Sequence, residues 1–249
     1  RSSLFGVVKR GQREYHPDRV IPSTKDVSLR YKGEQLDQND LDVWETLVHI
    51  SRTQNLEGEC RFSAYQFLKL LGKTDTGNNR KRLHAQLMRL TANAIEIQAR
   101  GITYFGSLVD SATRTDETQE YVVTFNVKIK TLFGPSMSSL IPKEERKALE
   151  GKSLAKWLHG YYSSHKHPFQ VKAETIRALS GSTPSRNFNT LLKTALIDLE
   201  AATGWVCTLN GGDVTVRKTT LPAKKRRFNP RSESESPSSH PSHKLFPRK

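Results

Sequence analysis

Two tyrosines and two histidines lie within a stretch of seven residues and carry side chains that a DNA-nicking reaction could use. Tyr161 and Tyr162 are candidate nucleophiles, and His165 and His167 are candidate metal ligands. Metal-dependent nicking enzymes prefer an apolar residue between the two histidines, whereas Lys166 stands there. In the alternative, the histidines end a helix, where cationic side chains interact well with the last carbonyl groups. We expect no catalytic residue and no metal ligand, with nicking kept as an alternative.

Two other stretches look like the end of a phosphate-binding P-loop. Residues 72–74 read Gly-Lys-Thr and residues 151–153 read Gly-Lys-Ser. A P-loop also needs a glycine five residues before its second glycine. Phe67 and Arg146 occupy those two positions, so both stretches fail. We therefore expect no nucleotide cofactor.

The composition indicates a polyanionic partner. The chain has 249 residues and a net charge of +15, with a pI near 9.9, which is typical of proteins that bind nucleic acid or an anionic membrane. No apolar run approaches the roughly 18 residues that span a bilayer, so we expect no membrane partner. Cys60 and Cys207 lie far apart, which indicates a reducing cytoplasm and no zinc site. Because the chain begins with Arg1, we expect a fragment or a processed form.

The elements that would position a binding site occur twice. Shifted by 109 positions, residues 60–90 align without gaps on residues 169–199, and the apolar positions stay in step. Each copy predicts a short strand, an amphipathic helix, a glycine, a polar turn and a second helix, which is helix-turn-helix order. The second helix is the candidate recognition helix, expected over 79–93 in the first copy and 184–202 in the second. In the first copy, Ser63 and Gln66 have capping-box spacing for the amphipathic helix, expected over 63–71. A further helix, expected over 40–52, precedes this copy, with Asn39 or Asp40 as its cap. In the second copy, Thr183 is the expected N-cap and Pro184 the first helical residue.

The face of each candidate recognition helix that lies opposite its leucines is the expected DNA-reading surface. A cationic face around a small residue suits a DNA groove, although a solvated helix face is the alternative. In the first copy the expected DNA-binding residues are Arg80, Lys81, Arg82, Ala85 and Arg89. In the second copy they are Arg186, Asn187, Asn189, Thr190, Lys193 and Thr194.

Strands after each candidate recognition helix predict a β-wing. In the first copy, strands are expected at 94–98, 103–109 and 120–126 around a charged hairpin tip at 113–118. Arg100 and Arg114 can reach phosphates or the minor groove from this wing, or be merely solvated. In the second copy, Asn210-Gly211-Gly212-Asp213 is a strong hairpin signal, with Arg217 and Lys218 at the end of the wing.

The predicted fold is α+β, with two tandem winged-helix domains and a disordered basic C-terminal tail. The expected order is an N-terminal arm (1–26), a first winged-helix domain (27–126), a connector (127–151), a second winged-helix domain (152–220) and the tail (221–249). In the arm, Leu4 and Phe5 either dock onto the first domain, which we favour, or form a short linear motif. In the connector, Leu132 and Phe133 are the expected anchors, and a short helix begins at Pro142.

The tail has eight Lys and Arg residues against two glutamates and too little apolar surface to offset the entropy of ordering. The run of Lys224, Lys225, Arg226 and Arg227 fits a non-specific DNA contact, which we favour, or a nuclear-localisation signal.

Five stretches resemble plasmid replication initiators of the TrfA type. They are RSSLF at Arg1, KDVSLRYKGEQL around Tyr31, DLDVWETLVHISR, FSAYQFLKLLG and YYSSHKHPFQVKAETIRALSGS from Tyr161 to Ser182. The resemblance covers about residues 1–220 and implies tandem winged-helix domains that bind repeated origin sequences, called iterons, and open the duplex beside them. It also implies a bacterial cytoplasmic location, recruitment of the host initiator DnaA, the replicative helicase and the sliding clamp, and a possible homodimer.

The family's clamp-binding motif, Gln-Leu-Ser-Leu-Phe, does not occur, and Ser2 to Phe5 resembles only its end. The sequence thus predicts a non-enzymatic initiator that binds double-stranded DNA. A winged-helix transcriptional repressor is the first alternative, and a tyrosine nicking enzyme is the second.

Overall fold

The computed structural model describes residues 2–8, 11–23, 27–54, 58–99, 101–125, 142–182 and 186–219. The chain separates into a compact unit, residues 1–219, and a second unit, residues 220–249. The predictions for Arg100, Leu132, Phe133, Thr183, Pro184 and the basic tail with its Lys224–Arg227 run fall outside the described residues.

Helices and strands are mixed along the chain, as an α+β fold requires. The helices are α1 (Gln38–Thr53), α2 (Ala64–Leu70), α3 (Gly77–Thr91), α4 (Lys143–Ala148), α5 (Ser153–Ser163), α6 (Ala173–Ser180) and α7 (Phe188–Thr203). The strands are β1 (Phe5–Gly6), β2 (Tyr15–Val20), β3 (Val27–Glu34), β4 (Leu36–Asp37), β5 (Glu59–Ser63), β6 (Ala94–Ala99), β7 (Ile102–Gly106), β8 (Ser111–Arg114), β9 (Glu120–Thr124), β10 (Val171–Lys172), β11 (Val206–Asn210) and β12 (Asp213–Arg217). The predicted α+β class is confirmed.

Side-chain caps set where the first two helices begin. Ser63 caps α2 by accepting a hydrogen bond from the backbone N–H of Gln66, whose own side chain accepts from the Ser63 N–H. This capping box is the one that the sequence predicts. For α1, the expected cap at Asn39 or Asp40 is wrong by a few residues, because Asp37 accepts from both of their N–H groups. Asp40 instead supplies the returning half of a second capping box.

Two parts of the chain share one order of elements, and we call them the first and second repeats. The first repeat consists of α1, β5, α2, α3, β8 and β9, and its sheet has the strand order β5-β9-β8. The second repeat consists of α5, β10, α6, α7, β11 and β12, and its sheet has the order β10-β12-β11. In both, the strand after the first helix pairs with the last strand of the terminal hairpin. The predicted internal repeat is therefore present in three dimensions.

Several equivalent positions of the two repeats are buried to the same degree. Phe67 and Ile176 are both fully buried, and so are Leu90 and Leu199. Gly72 and Gly181 both have positive φ angles, +72° and +67°, after the second helix of their repeats. Glycine adopts this left-handed conformation without steric cost, which explains its presence at both turns. The predicted match of Cys60 to Phe169 is wrong, because Cys60 is buried in β5 whereas Phe169 precedes β10 and is exposed.

A separate sheet interrupts the first repeat. The hairpin of β6 and β7 follows α3 directly, but β6 pairs with β3 in a four-stranded antiparallel sheet of order β2-β3-β6-β7. The sequence predicts that the strands after α3 form one wing. This prediction is wrong because β6 hydrogen-bonds to the N-terminal strand β3, whereas β9, the partner of β8, pairs with β5.

The N-terminal segment contacts both hydrophobic cores. Leu4 and Phe5 are buried in the core of the first repeat, which confirms their predicted docking. Val7 packs against the core of the second repeat, and its N–H donates to the carbonyl oxygen of Ser180 at 2.8 Å. The arm therefore does more than dock onto one domain, because it joins the two repeats and adds strands β1 and β2.

A buried ionic cluster also connects the repeats. Asp42 of α1 accepts hydrogen bonds from Arg146 of α4 and from Lys156 of α5, the latter at 2.7 Å. Lys156 also contacts Glu150 at 2.7 Å, and Arg146 donates to the backbone oxygen of Gln38 at 3.2 Å. Both cationic side chains are almost fully buried. Because a buried charge is costly unless it is paired, this cluster fixes α1 against α4 and α5.

Candidate nucleic-acid interface

Helix α3 exposes the basic face that the sequence predicts. Thr76 caps the helix by accepting from the backbone N–H of Asn79 at 3.3 Å. Leu83, Leu87 and Leu90 are buried, so the opposite face is turned to solvent. The residues that lie exposed on this face are Lys81, Arg82 and Ala85. Two cations flank a small residue on this face, and the small side chain leaves room for the helix to come close to a DNA groove.

Arg80 lies at the start of α3 and is engaged by its own turn. Its guanidinium binds both carboxylate oxygens of Asp75, at 2.6 and 2.7 Å. This hydrogen bond lowers the pKa of Asp75 and raises the pKa of Arg80. The pair is exposed, so Arg80 stays at the surface but shares its charge with a carboxylate. We expect Arg80 to contribute less to DNA binding than Lys81 or Arg82.

Arg89 is not part of an exposed basic face, which corrects the sequence prediction. Its guanidinium binds Asp40 of α1, with Nη2 at 2.8 Å and Nε at 3.2 Å from Oδ1. Asp40 is fully buried, and the Arg89 side chain is only 15% exposed. Burial acts to lower the pKa of Arg89, but the hydrogen bond and charge of Asp40 outweigh it and raise the pKa. Arg89 therefore holds α3 against α1.

The hairpin of β8 and β9 lies where the sequence predicts the wing of the first repeat. All four residues of β8 are exposed, including Arg114, whose Nη2 lies 2.9 Å from Asp116 Oδ1 at the hairpin tip. Gln119 adopts a positive φ of 56° in this tip. Arg114 thus occupies the predicted wing position, although an adjacent carboxylate partly compensates its charge.

Helix α7 is the equivalent of α3 in the second repeat and begins later than predicted. It starts at Phe188, with Asn187 in the N-cap position. Leu192, Leu196 and Leu199 are buried as expected. The predicted DNA-binding residues all lie at the exposed surface of the helix or of the turn before it: Arg186, Asn187, Asn189, Thr190, Lys193 and Thr194. Leu191 lies among these residues and is 57% exposed, but it was not predicted as part of the surface. The shift of 109 positions, which aligns Leu191 with Arg82, was the signal that could have identified it.

The hairpin of β11 and β12 lies where the sequence predicts the second wing, and its turn is as predicted. Asn210 pairs with Asp213, and Gly211 and Gly212 both have positive φ angles, +57° and +89°. A two-residue turn with two such angles matches the twist of the flanking strands. Arg217 is exposed at the end of β12, where it can reach a phosphate.

Lys218 caps a helix instead of extending the basic surface, which corrects the sequence prediction. Its Nζ donates to the backbone oxygens of His165 at 2.6 Å and Ser163 at 3.2 Å, at the end of α5. It also lies 5.3 Å from the ring centre of Trp205. Desolvation lowers the pKa of Lys218. An ammonium group held by helix-terminal carbonyls has few donors left for a phosphate.

The tyrosines and histidines considered for nicking chemistry do not form an open site. Tyr161 and Tyr162 are buried in the core of the second repeat, and burial raises the pKa of the Tyr162 phenol. Nδ1 of His165 lies 2.9 Å from the backbone oxygen of Tyr161, as expected at a helix end, whereas His167 is exposed. Among the described residues, no three His, Cys, Asp or Glu side chains group as metal ligands.

In the part of the chain that the structure describes, no helix is long and apolar enough to cross a membrane.

The fold is similar to that of solved structures of RctB. A crystal structure of selenomethionine derivatives of domains 2 and 3 of RctB has a TM-score of 0.62 and 11% identity, covering 86% of this chain and 95% of that chain. A second structure of RctB domains 2–3 has a TM-score of 0.56 and 12% identity, covering 85% and 92%. At these identities, the similarity concerns the fold alone.

Sequence comparison identifies relatives of this chain. It is 27% identical over 198 residues to the plasmid replication initiator protein TrfA of Escherichia coli, a match that includes 75% of this chain. The chain spans about half the length of that relative (50%). The profile of the TrfA protein family matches residues 1–194, well over half of the sequence, which includes the whole first repeat and the second repeat as far as the first turns of α7. The chain therefore belongs to the TrfA family of plasmid replication initiators.

Proposed function

We propose that this protein is a plasmid replication initiator that binds repeated origin sequences, or iterons, through two winged-helix units. Each repeat supplies a first helix, a helix-turn-helix and a β-wing, in the order that a winged helix requires. Helices α3 and α7 are the recognition helices, and the hairpins β8–β9 and β11–β12 are the wings. The observation that carries the proposal is the recurrence of this order in a strongly basic chain, with the outer face of the last helix exposed in both copies.

Affinity and specificity come from different side chains in this proposal. Lysine and arginine side chains neutralise DNA phosphates and give most of the affinity, which therefore falls steeply with salt. Side chains on α3 and α7 read base edges in two major grooves, since arginine suits guanine and asparagine suits adenine. The interface consists of Lys81, Arg82, Ala85 and Arg114 in the first repeat and Arg186, Asn187, Asn189, Thr190, Lys193, Thr194 and Arg217 in the second. Arg80 contributes less, and Arg89 and Lys218 stabilise the scaffold.

The remaining steps of initiation rest on family membership. The bound protein opens the duplex beside the iterons and recruits the host DnaA, the replicative helicase and the sliding clamp. It acts in the bacterial cytoplasm, and a homodimer serves as its inactive reserve. The basic tail adds a non-specific DNA contact. The protein performs no bond-breaking step on DNA in this proposal.

Selection of bound fragments from the parent replicon tests the origin-binding role. We expect the purified chain to enrich fragments with direct repeats and to make the adjacent segment sensitive to a single-strand-specific reagent. Enrichment of one promoter site without repeats and without opening would favour the alternative, a winged-helix transcriptional repressor. A covalent protein–DNA product would favour the nicking alternative. Enrichment of no fragment would overturn sequence-specific binding altogether.

A further inference from the structure

Helices α3 and α7 differ in the chemistry of the surface that each presents at equivalent positions. Under the shift of 109 positions, Lys81 corresponds to Thr190, and Arg82 corresponds to Leu191. All four side chains are exposed. At the next two outward positions, Ala85 corresponds to Thr194 and Met88 to Ile197. The fold therefore repeats, but two cations on α3 are replaced by a hydroxyl and an isobutyl group on α7.

The outer face of α7 is rich in methyl groups. At 100° per residue, Thr190, Leu191 and Thr194 lie within about 100° of one another around the helix axis. Leu191 is 57% exposed, and Ile197, six residues further on, is 65% exposed. The Thr194 hydroxyl donates to the backbone oxygen of Thr190 at 3.2 Å, so its only donor is not available to a base. Its methyl group remains for an outside contact.

Exposed leucines are common on protein surfaces, so exposure alone indicates nothing. The position of Leu191 is what distinguishes it. Leu191 occupies the site of Arg82, in the first turn of α7, and two exposed cations lie near it in sequence, Arg186 in the turn before the helix and Lys193 within it. Both cations can contact phosphates. Apolar side chains on the reading face of such a helix contact the C5-methyl group of thymine in the major groove.

We propose that α7 reads thymine through its methyl group, with Leu191 as the main specificity-determining residue and Thr194 beside it, while α3 reads guanine through Arg82. This inference rests on the proposed DNA-binding function and assigns the ligand chemistry of its second half. It predicts a two-part site in which one half depends on guanine hydrogen-bond acceptors and the other on thymine methyl groups. Phosphate contacts from the basic residues are common to both halves.

Replacing thymidine by deoxyuridine tests the proposal, because only the C5-methyl group is lost. The probe is a duplex selected by this chain from a random-sequence pool and resynthesised with deoxyuridine in one half at a time. The half assigned to α7 is the one whose base preference survives Arg82→Ala. In that half, each contacted methyl group that is lost should weaken binding about fourfold, which is the contribution of one buried methyl or methylene group to the binding free energy. In the half assigned to α3, the same exchange should change binding little.

Three variants show whether Leu191 makes the contact. Leu191→Ala should bind the thymidine and deoxyuridine duplexes equally. Thr194→Ser, which removes one methyl group, should show a smaller difference in affinity between the two duplexes than the parent chain does. Arg82→Ala is the matched control at the equivalent position of α3 and should keep the full deoxyuridine penalty. The proposal would be overturned if deoxyuridine weakened binding by Leu191→Ala as much as it weakens binding by the parent chain. It would also be overturned if the parent chain bound the deoxyuridine duplex as tightly as the thymidine duplex. Failure to select any sequence would instead contradict the proposed function itself.

Discussion

The carboxylate of Asp42 in α1 lies 2.7 Å from the ammonium group of Lys156 in α5, although 114 residues separate them in the chain. Lys156 is 2% exposed, and Asp42 also binds the guanidinium of Arg146. The two repeats therefore meet through ion pairs shielded from water, in addition to the N-terminal segment. Because these contacts tie α1 to α5, the proposed recognition helices α3 and α7 have a fixed spacing.

Removing the Asp42 charge tests this junction. Asp42→Asn keeps the side-chain shape but leaves two buried cations poorly compensated, so we expect the free energy of unfolding to fall by about 3 kcal/mol. Urea denaturation measures the loss. The control is Glu144→Gln, which removes the exposed pair with Lys147 and should cost less than about 1 kcal/mol. Equal, small losses in both variants would show that the buried cluster does not hold the repeats together.

The position of Arg89 predicts an effect on folding and not on base preference. Arg89→Ala leaves the Asp40 carboxylate buried with one cation fewer, and we expect a loss of about 3 kcal/mol in unfolding free energy. In contrast, the exposed Arg82→Ala should change stability by no more than about 0.5 kcal/mol. Thermal or urea unfolding of both variants separates the two roles. A relaxed base preference in Arg89→Ala at unchanged stability would restore Arg89 to the DNA interface.

Two reading helices predict a two-part binding site. Successive major grooves on one face of DNA are about 10–10.5 base pairs apart, so one monomer should protect about 20 base pairs. Arg82→Ala should lose about 1–3 kcal/mol of binding free energy at guanine contacts, and Leu191→Ala should lose about 0.8 kcal/mol for each thymine methyl group that it contacts. Each variant should relax base preference only in its own half. Binding to single base-pair variants measures this. Loss in the same half for both variants, or a footprint of one turn, would contradict the tandem arrangement.

The basic tail predicts a change in salt dependence. Deletion of residues 221–249 removes eight cations and two carboxylates and should leave the preferred sequence unchanged. Affinity should drop at low salt, and the slope of log affinity against log salt should become shallower, because fewer counterions are released. Titration of both chains with potassium chloride provides the comparison. Identical slopes would show that the tail makes no contact with DNA.

Burial of the tyrosines predicts that no covalent DNA adduct forms. The Tyr162 hydroxyl is buried without a hydrogen-bond partner among the described residues, so Tyr162→Phe should keep or slightly raise stability, by less than about 1 kcal/mol. Labelled origin DNA, incubated with magnesium or manganese and run on a denaturing gel, should show no adduct with the parent chain, Tyr161→Phe, Tyr162→Phe or His167→Ala. A band that the parent gives and Tyr162→Phe loses would establish nicking chemistry.

The sequence by itself determined the features that depend on neighbouring residues. The capping box of Ser63 and Gln66, the Asn210–Asp213 turn and the buried leucines of α3 and α7 follow from short-range spacing, so each was predictable. The repeat was also visible, because equivalent helices bury the same face and therefore keep apolar residues at the same positions. For the same reason, most residues on the exposed faces of both helices could be named in advance.

Only the tertiary structure decided which cations remain exposed and which strands pair. Arg89 and Lys218 looked like DNA-binding residues, but each binds oxygen atoms that lie 49 to 55 residues away in the chain. Likewise, the hairpin of β6 and β7 follows α3 directly, and yet its strand β6 pairs with the N-terminal strand β3. Ion pairs and strand pairing join groups that are distant in sequence, and a basic side chain or an alternating pattern looks the same whichever partner it finds. Local periodicity therefore fixed the faces of the helices, and long-range contacts determined which of their charges are left for DNA.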